Sequence, residues 1–475
     1  MALELFNDLT RRKELFTPIK EGEVTFYSCG PTVYDFFHIG NSRPFIVFDV
    51  LRRWLEYLGY KVTFVQNFTD IDDKMIKRAN EEGITVKELA EKFIAEYYRD
   101  AKALGIRPPT VAPKATEHIN EIIDTISKII KNGHAYVSEG DVYFDVKSWP
   151  NYGSLCKQNL DDLEAGARVE PGEKKKDPLD FALWKAKKSG EPFWQSPWGE
   201  GRPGWHIECS AMSSKYLGEN IDIHSGGVDL IFPHHENEAA QSEAASGNNK
   251  PFVNYWVHNG FLLIDNKKMS KSEGNFTTAR AAMQKYPPMA IRFFMLSAHY
   301  RSPINFTPEA LEQAANGVAR LKNCIDDLNF ASKSRVDNNS DFDIQIFEKE
   351  LTDLKAKFTD AMNDDLNTAA AIGDLFGVVH LVNSSLKDNA ALPEKFFELS
   401  KSAFDFYNDI LGLPGQDENL SELDENEIEN LITERTNARK AKNFKRSDEI
   451  RDFLKSKGIT LEDTPQGTKW KLSVN

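Results

Sequence analysis

The chain has 475 residues, with 59 Lys and Arg against 73 Asp and Glu, a net charge of −14, 40% hydrophobic and 11% aromatic residues. At about 150 residues per domain this is roughly three domains' worth of chain, and one core rarely grows beyond about 300 residues, so more than one core is expected. A charged fraction of 28% with 31 Phe, 14 Tyr and 8 Trp excludes a disordered chain, and 28 Gly and 21 Pro without a period exclude the fibrous classes.

The amino terminus, Met1-Ala-Leu-Glu-Leu-Phe-Asn-Asp8, carries no basic region leading into an apolar one. No apolar run approaches the roughly 18 residues that span a bilayer, so a cytoplasmic protein without a membrane partner is expected. Val24 to Ser28 is β-branched and aromatic and ends at Cys29-Gly30-Pro31. Phe45 to Leu58 has apolar residues at helical spacing and stops at Gly59, and Val62 to Val65 resumes the strand pattern. Strand, Gly-bearing turn, helix and strand make a parallel βαβ unit, with ligands expected at the carboxyl ends of its strands. Helices are expected over Val86–Leu104 and Thr116–Asn132, and a hairpin from His134–Val137 and Asp141–Asp145. The stretch from about Asp161 to Gly204, rich in Gly, Pro, Lys and Trp, reads as an irregular insertion, after which Ile221–His224 and Val253–Val257 return to strand. Beyond Pro308 the pattern is helical over Glu309–Leu328, Phe342–Met362, Thr368–Leu386 and Pro393–Ile410, which implies a bundle. The net charge hides an asymmetry. Seven acids and no base lie between Asp417 and Glu429, whereas Leu431 to Asn475 holds eleven Lys and Arg against six Asp and Glu. An acidic linker thus leads into a basic module.

Three groups of residues can carry chemistry. His38-Ile39-Gly40-Asn41 sits between the first strand and its helix, where a helix amino terminus offers N–H groups and a positive dipole end to phosphate. Alone, that string is weak, since a His beside Phe36 and Phe37 is more often a packed or surface residue with no catalytic part. Lys268-Met269-Ser270-Lys271-Ser272, followed by Glu273-Gly274-Asn275, places two ammonium groups on a Gly-terminated loop, able to close onto a triphosphate. This five-residue string is far more specific than the first. Cys29, Cys209, His234 and Glu238 form a set of metal-ligand types. His234 and Glu238 are four apart and share a face of any helix begun after Pro233. Mixed nitrogen, oxygen and thiolate donors favour zinc over magnesium or calcium; two buried thiols and a surface His–Glu pair are the bland alternative. His235-Glu236 lacks the closing His of a zinc-protease helix, since position 239 is Ala. Four cysteines spread so widely make no disulfide framework. Cys324, at helical spacing with Leu321, Ile325 and Leu328, is a core residue by default.

With these motifs together, the sequence resembles the cysteinyl-tRNA synthetases of bacterial type, within the class I aminoacyl-tRNA synthetases. The resemblance runs from about Leu5 to Leu472. It rests on Cys29–Asp35, Asn67–Lys74, Pro203–Cys209, Gly226–Glu238, the lysine loop, His299–Asn305 and Met362–Thr368. It implies an α/β fold: a Rossmann-like parallel-sheet catalytic domain with an insertion, followed by an α-helical bundle and a small basic anticodon-binding domain. The implied division is catalytic first half 1–115, insertion 116–204, catalytic second half 205–265, lysine loop and stem-contact region 266–307, bundle 308–415, and acidic linker with anticodon-binding domain 416–475.

The resemblance further implies that L-cysteine and ATP, the latter with Mg²⁺, give cysteinyl-adenylate, and that the cysteinyl group then passes to tRNA(Cys). His38, Lys268 and Lys271 would be catalytic, and Gly40 and Asn41 would bind ATP with them. One Zn²⁺ on Cys29, Cys209, His234 and Glu238 would select the substrate thiolate, because shape alone separates such near-isosteres by only roughly 10²-fold. Trp205 would wall the cysteine pocket, with His224 and Asp229 as neighbours. A monomer is expected. The basic helix around Arg439–Arg451 and a hairpin bearing Trp470 would supply charge and an aromatic face to RNA. One departure is Asn41, where the widespread motif ends in His; Asn donates a hydrogen bond but carries no proton. Two rivals share parts of this pattern: a zinc-dependent cysteine ligase acting on an amino-sugar, which lacks the basic module, and a catalytically inactive tRNA-binding paralogue.

Overall fold

The structure, a computed structural model, describes residues 2–158, 174–248, 250–269, 276–413, 425–464 and 467–472. The chain divides into two compact units, Met1–Glu312 with Thr359–Ala371, and Gln313–Phe358 with Ile372–Asn475.

In the first unit an antiparallel pair, β1 (Glu4–Asn7) and β2 (Arg12–Leu15), precedes the expected βαβ unit. Its members are β3 (Glu23–Ser28), α1 (Ile39–Tyr57) and β4 (Lys61–Gln66), and the two strands are parallel neighbours. Val24 and Phe26 are buried on β3, and the Phe26 ring meets Phe48 of α1 at 6.2 Å. Apolar spacing starts this helix at Phe45, yet it begins at Ile39. Pro44 removes a single N–H from the ladder, while His38 supplies the cap: its Nδ1 accepts from the Asn41 N–H at 3.2 Å. A helix the periodicity did not show, α2 (Asp73–Glu82), buries only Met75, Ile76 and Ala79 and is held by an Asp72 cap and a left-handed Gly83. α3 (Val86–Ala103) carries a full Thr85/Glu88 capping box, and α4 (Ile119–Lys131) buries an isoleucine stripe.

The expected hairpin, β5 (Ala135–Ser138) with β6 (Asp141–Phe144), does not end there. β7 (Phe181–Ala186) and β8 (Gly201–Pro203) extend it to a four-stranded antiparallel sheet. The stretch read as irregular thus contains two strands in its described part; residues 159–173 lie outside the described residues. A register shift between Val142 and Tyr143 and the adjacent buried Leu183 and Trp184 break the period-two alternation that would have announced them.

After α5 (Trp205–Leu217) the chain re-enters the parallel sheet through β9 (Ile221–Gly227), α6 (Glu236–Ser246) and β10 (Val253–Asn259). The strand order β10-β9-β3-β4 means that β3 is followed on one side by β4 and flanked on the other by β9. The connections reverse between β3 and β9, so a crevice opens beyond their carboxyl ends. Next come β11 (Leu262–Ile264), β12 (Lys267–Lys268), α7 (Ala279–Met283), α8 (Pro288–Leu296) and β13 (Ile304–Phe306).

The helices α9 (Pro308–Ser332), α10 (Ile344–Asn363), α11 (Thr368–Asp388) and α12 (Glu394–Leu411) fall on the expected bundle segments. By length and composition α11 is apolar enough to cross a membrane, contrary to the sequence reading; Leu375, Val378, Val379 and Val382 on it are buried in the second unit. Cys324 is buried on α9 with Leu321, as expected of a core residue. The carboxy-terminal part holds α13 (Glu425–Lys440), α14 (Phe444–Ser456) and the hairpin β14 (Ile459–Thr464) with β15 (Gly467–Leu472). The basic stretch read as one helix is therefore two. The chain breaks at Lys442, with φ 57°, and restarts where the Asn443 side chain accepts from the Arg446 N–H. Trp470 packs against the core of Ile428, Ile450, Leu454 and Ile459.

Within the first unit Asp365 joins three segments. It is 1% exposed, and its carboxylate accepts from the Phe6 N–H at 2.8 Å, the Tyr300 O–H at 2.7 Å and Arg301 Nε at 2.7 Å. Its φ of 57° suits Asp and Asn better than Ala. Asp365→Ala should cost about 2–4 kcal/mol, since three donors lose their acceptor; a urea-unfolding midpoint equal to that of the unaltered chain would refute this.

Candidate active site

The crevice beyond β3 and β9 collects donors from five segments. Cys29 follows the last residue of β3, Cys209 lies on α5, His224 on β9, and His234 and Glu238 on the turn into α6 and its first turn. Gly30 is required beside Cys29: a Cβ there would stand 1.6 Å from the Asn67 carbonyl oxygen, and its N–H donates to Asn67 Oδ1 at 2.9 Å. Cys29 and Cys209 are free thiols with sulfurs 3.9 Å apart. That is far beyond a disulfide of about 2.05 Å. It is close to the edge of about 3.8 Å expected between two thiolates on a tetrahedral zinc with Zn–S about 2.3 Å. Cys209 Sγ lies 3.7 Å from His234 Nε2, Cys29 Sγ 3.3 Å from Glu238 Oε1, and His234 Nε2 2.8 Å from Glu238 Oε1. One ligand atom from each of Cys29, Cys209, His234 and Glu238 thus lies within 4.8 Å of every other. All but Cys29 are buried, and the donor set of two sulfurs, a nitrogen and an oxygen fits zinc in both number and spacing.

Charge is arranged around one carboxylate. Burial opposes ionisation of Glu238, yet His224 and His234 hold its pKa well below the usual carboxylate range. His224 Nε2 reaches Glu238 Oε2 at 2.8 Å, leaving Oε1 directed at His234. Cys29 donates to Cys209 and, against burial, holds that thiol down to about 6, while burial pushes the Cys29 thiol well up. A cation bound there would take both sulfurs as thiolates.

At the other end of the crevice His38 caps α1. Because Nδ1 accepts, the proton of the neutral ring belongs on Nε2. Gly40 is held between His38 and the lysine loop: a Cβ would meet His38 Nδ1 at 3.0 Å and Met269 Cε at 3.1 Å. Asn41 is half-buried in the same turn. Lys268 is exposed on β12 with its Nζ 4.5 Å from the Phe261 ring centre. Lys271 lies outside the described residues, which resume at Phe276, 5.8 Å from the His38 ring. Trp205, 43% exposed at the start of α5, has its ring 4.5 Å from His234 and so forms an aromatic face beside the donor cluster. Asp229 is exposed, folded back over Gly227.

Several participants were not singled out from sequence. His235 Nε2 lies 3.3 Å from Cys29 Sγ and belongs to a second possible donor set with Cys29, His224 and Glu238. Its Nδ1 meets His258 Nε2 at 2.7 Å, and His258 Nδ1 meets Asp8 Oδ2 at 2.8 Å. His206 Nδ1 lies 2.8 Å from His234 Nδ1. The His234-His235 pair is the one visible signal; Asp8, 250 positions from His258, has none.

A parallel sheet with its switch-point crevice, a histidine-capped helix and a lysine loop bonded beside it define the class: an aminoacyl-tRNA synthetase of class I. The family model "tRNA synthetases class I (C) catalytic domain" matches residues 15–316, and the "DALR domain" matches 357–414. A cysteine–tRNA ligase of Caldicellulosiruptor saccharolyticus is 54% identical over 98% of this chain and 99% of its own length. Those of Lachnoclostridium phytofermentans and Clostridioides difficile are each 52% identical over 99% of this chain and 100% of theirs. Among solved structures, Mycobacterium tuberculosis methionyl-tRNA synthetase with methionyl-adenylate shares the fold at a TM-score of 0.62 and 15% identity, covering 82% of this chain and 92% of that one. A putative arginyl-tRNA synthetase from Campylobacter jejuni does so at 0.57 and 14%, covering 84% and 94%. The chain belongs to the cysteine–tRNA ligase family.

Metal analysis provides the test of the cluster. Cys209→Ser should weaken metal binding by about 10-fold or more, while Cys324→Ser leaves it unchanged; equal metal affinity in both variants would remove Cys209 from the site.

Proposed function

We propose that this chain activates L-cysteine with ATP and transfers it to tRNA(Cys). In the first step a carboxylate oxygen of cysteine attacks the α-phosphorus, the bond to pyrophosphate breaks, and cysteinyl-adenylate remains. In the second, a hydroxyl of the terminal ribose attacks the activated carbonyl and AMP leaves. Neither step needs a nucleophile from the protein, so rate must come from position and charge.

The observation that carries the reading is the meeting of Cys29, Cys209, His234 and Glu238 at the switch point of an adenylating fold. A Zn²⁺ held by those four would accept the substrate thiolate as a further ligand, a test that a hydroxyl passes poorly. His224 keeps Glu238 aligned for this by its 2.8 Å hydrogen bond. Trp205 forms the wall of the cysteine pocket, and Asp229 faces the ammonium group. At the nucleotide end the α1 amino terminus attracts phosphate, His38 donates through Nε2 to a developing oxyanion, and Gly40 lets the backbone come close. Asn41 adds a hydrogen bond without proton transfer. Lys268 and Lys271 neutralise the leaving pyrophosphate, which departs with Mg²⁺.

Full-length similarity to the relatives, the DALR domain and the basic module from α13 onward support tRNA as acceptor over an amino-sugar. ATP and tRNA as substrates support a cytoplasmic location.

Cysteine-dependent ATP–pyrophosphate exchange and tRNA(Cys) charging should both be present, and serine should be rejected beyond the roughly 10²-fold that shape allows. Exchange without charging would turn the reading toward the amino-sugar ligase, and neither activity would turn it toward an inactive tRNA binder. Lys271→Ala should lower exchange by about 100-fold with zinc content unchanged; parallel loss of zinc would show that the loop has another role.

A further inference from the structure

Glu208 is fully buried on α5, and among the described residues no cation pairs with it. Its carboxyl makes one hydrogen bond there: Oε2 accepts from the Thr69 hydroxyl at 2.9 Å, while Oε1 has no partner among the described residues. A carboxyl taken out of water for a single hydrogen bond is costly, and a fold needing only to fill that volume would use an apolar side chain. What the bond joins gives it a use.

Thr69 lies just after β4, and its hydroxyl also accepts from Asn67 Nδ2 at 3.4 Å. Asn67 Oδ1 in turn accepts from the Gly30 N–H at 2.9 Å and lies 3.8 Å from Cys209 Sγ. Like Glu208, both Asn67 and Thr69 are buried. Backbone bonds tie the same segment to the turn after β3, because Thr69 N–H donates to the Pro31 carbonyl and Val33 N–H to that of Thr69, each at 3.2 Å. Residues 67–69 therefore belong with the turn that carries Cys29, and Glu208 fastens that turn to the helix that carries Cys209. Successive residues of a helix point about 100° apart, so α5 offers Cys209 to the donor cluster and the adjacent Glu208 to Thr69. The two sulfurs, 3.9 Å apart, are thus linked by a path of buried hydrogen bonds that needs no ion.

We propose that Glu208 is a positioning residue of the metal centre: through Thr69 and Asn67 it sets the Cys29 turn against α5, so that the two thiols stand at zinc spacing before the ion arrives. The assignment rests on the zinc reading above. Glu208 is no ligand, since Cys29, Cys209, His234 and Glu238 already supply four donors. It acts by preorganisation, which lowers the ordering cost of binding. Its single bond leads to the cysteine end of the crevice, so its loss is felt in zinc and cysteine and not in ATP.

The test uses the full zinc-loaded chain, from which a chromophoric chelator competes the ion away, with Glu208→Ala, Glu208→Gln, Thr69→Val and the Glu208→Ala/Thr69→Val pair. Glu208→Ala should weaken zinc binding by about 10-fold or more and raise KM for cysteine, with KM for ATP unchanged. Glu208→Gln keeps an oxygen for the Thr69 hydroxyl and should regain most of the affinity. Thr69→Val removes that hydroxyl from a side chain of nearly the same shape and should weaken zinc binding as Glu208→Ala does. The pair should be no weaker than either single variant, because both break one link. If Glu208→Ala fails to fold, the contrast between Thr69→Val and Glu208→Gln decides. Unaltered zinc affinity in Thr69→Val overturns the proposal, as do losses that add in the pair, or a rise in KM for ATP that matches the rise for cysteine and marks a merely structural residue. No zinc binding by the unaltered chain would instead sink the metal reading itself.

Discussion

The site depends on one buried carboxylate. Glu238 stands at the first turn of α6, fully buried, with an imidazole on each oxygen: His224 on Oε2 and His234 on Oε1, both at 2.8 Å. A buried anion is tolerable only with such partners. Its pairing therefore dictates how β9, the turn through His234 and α6 must sit. Once those three are fixed, Cys29 at the end of β3 and Cys209 on α5 have their sulfurs where a tetrahedral cation needs them. The outer contacts, from His234 to His206 and from His235 through His258 to Asp8, orient the rings that face the cluster.

The two ends of the crevice solve different problems by different means. The donors of the cluster lie at a strand end and on helix turns, and all but Cys29 are buried. At the other end, the chain after the lysine motif is bonded to the α1 amino terminus, Ile39 N–H to the Thr277 carbonyl and Ala279 N–H to that of Phe37. The turn capped by His38 is crowded. Gly40 shows how little room is left there, since even a methyl group would press on both His38 and Met269.

What was legible in the sequence follows from range. The βαβ unit, the bundle helices and the Thr85-capped helix α3 announce themselves through local periodicity and capping, and they lie close to where that pattern puts them. The strands β7 and β8 did not, because a register shift and paired buried residues erase the alternation, and the basic helix was read through a break that only Lys442 and Asn443 mark. The four metal-type residues were visible by side-chain chemistry, and the His234–Glu238 spacing by helix geometry. His258 and Asp8 were not, since a hydrogen bond across 250 positions leaves no trace in composition or spacing.

Arg43 illustrates the same limit from the other side. In the sequence it is one of 59 basic residues, at the start of an amphipathic helix, where an exposed cation is the ordinary expectation. It is buried, and its partners are the carbonyl oxygens of Gly260, Phe261, His299 and Ser302, a group every residue possesses, so no pattern of side chains could have revealed them. Only the fold shows that two segments present their carbonyls to one point and that this point lies under the helix capped by His38. A cation buried for the sake of backbone carbonyls serves geometry rather than charge pairing, and the geometry it serves joins the helix capped by His38 to the segments at Gly260 and Ser302.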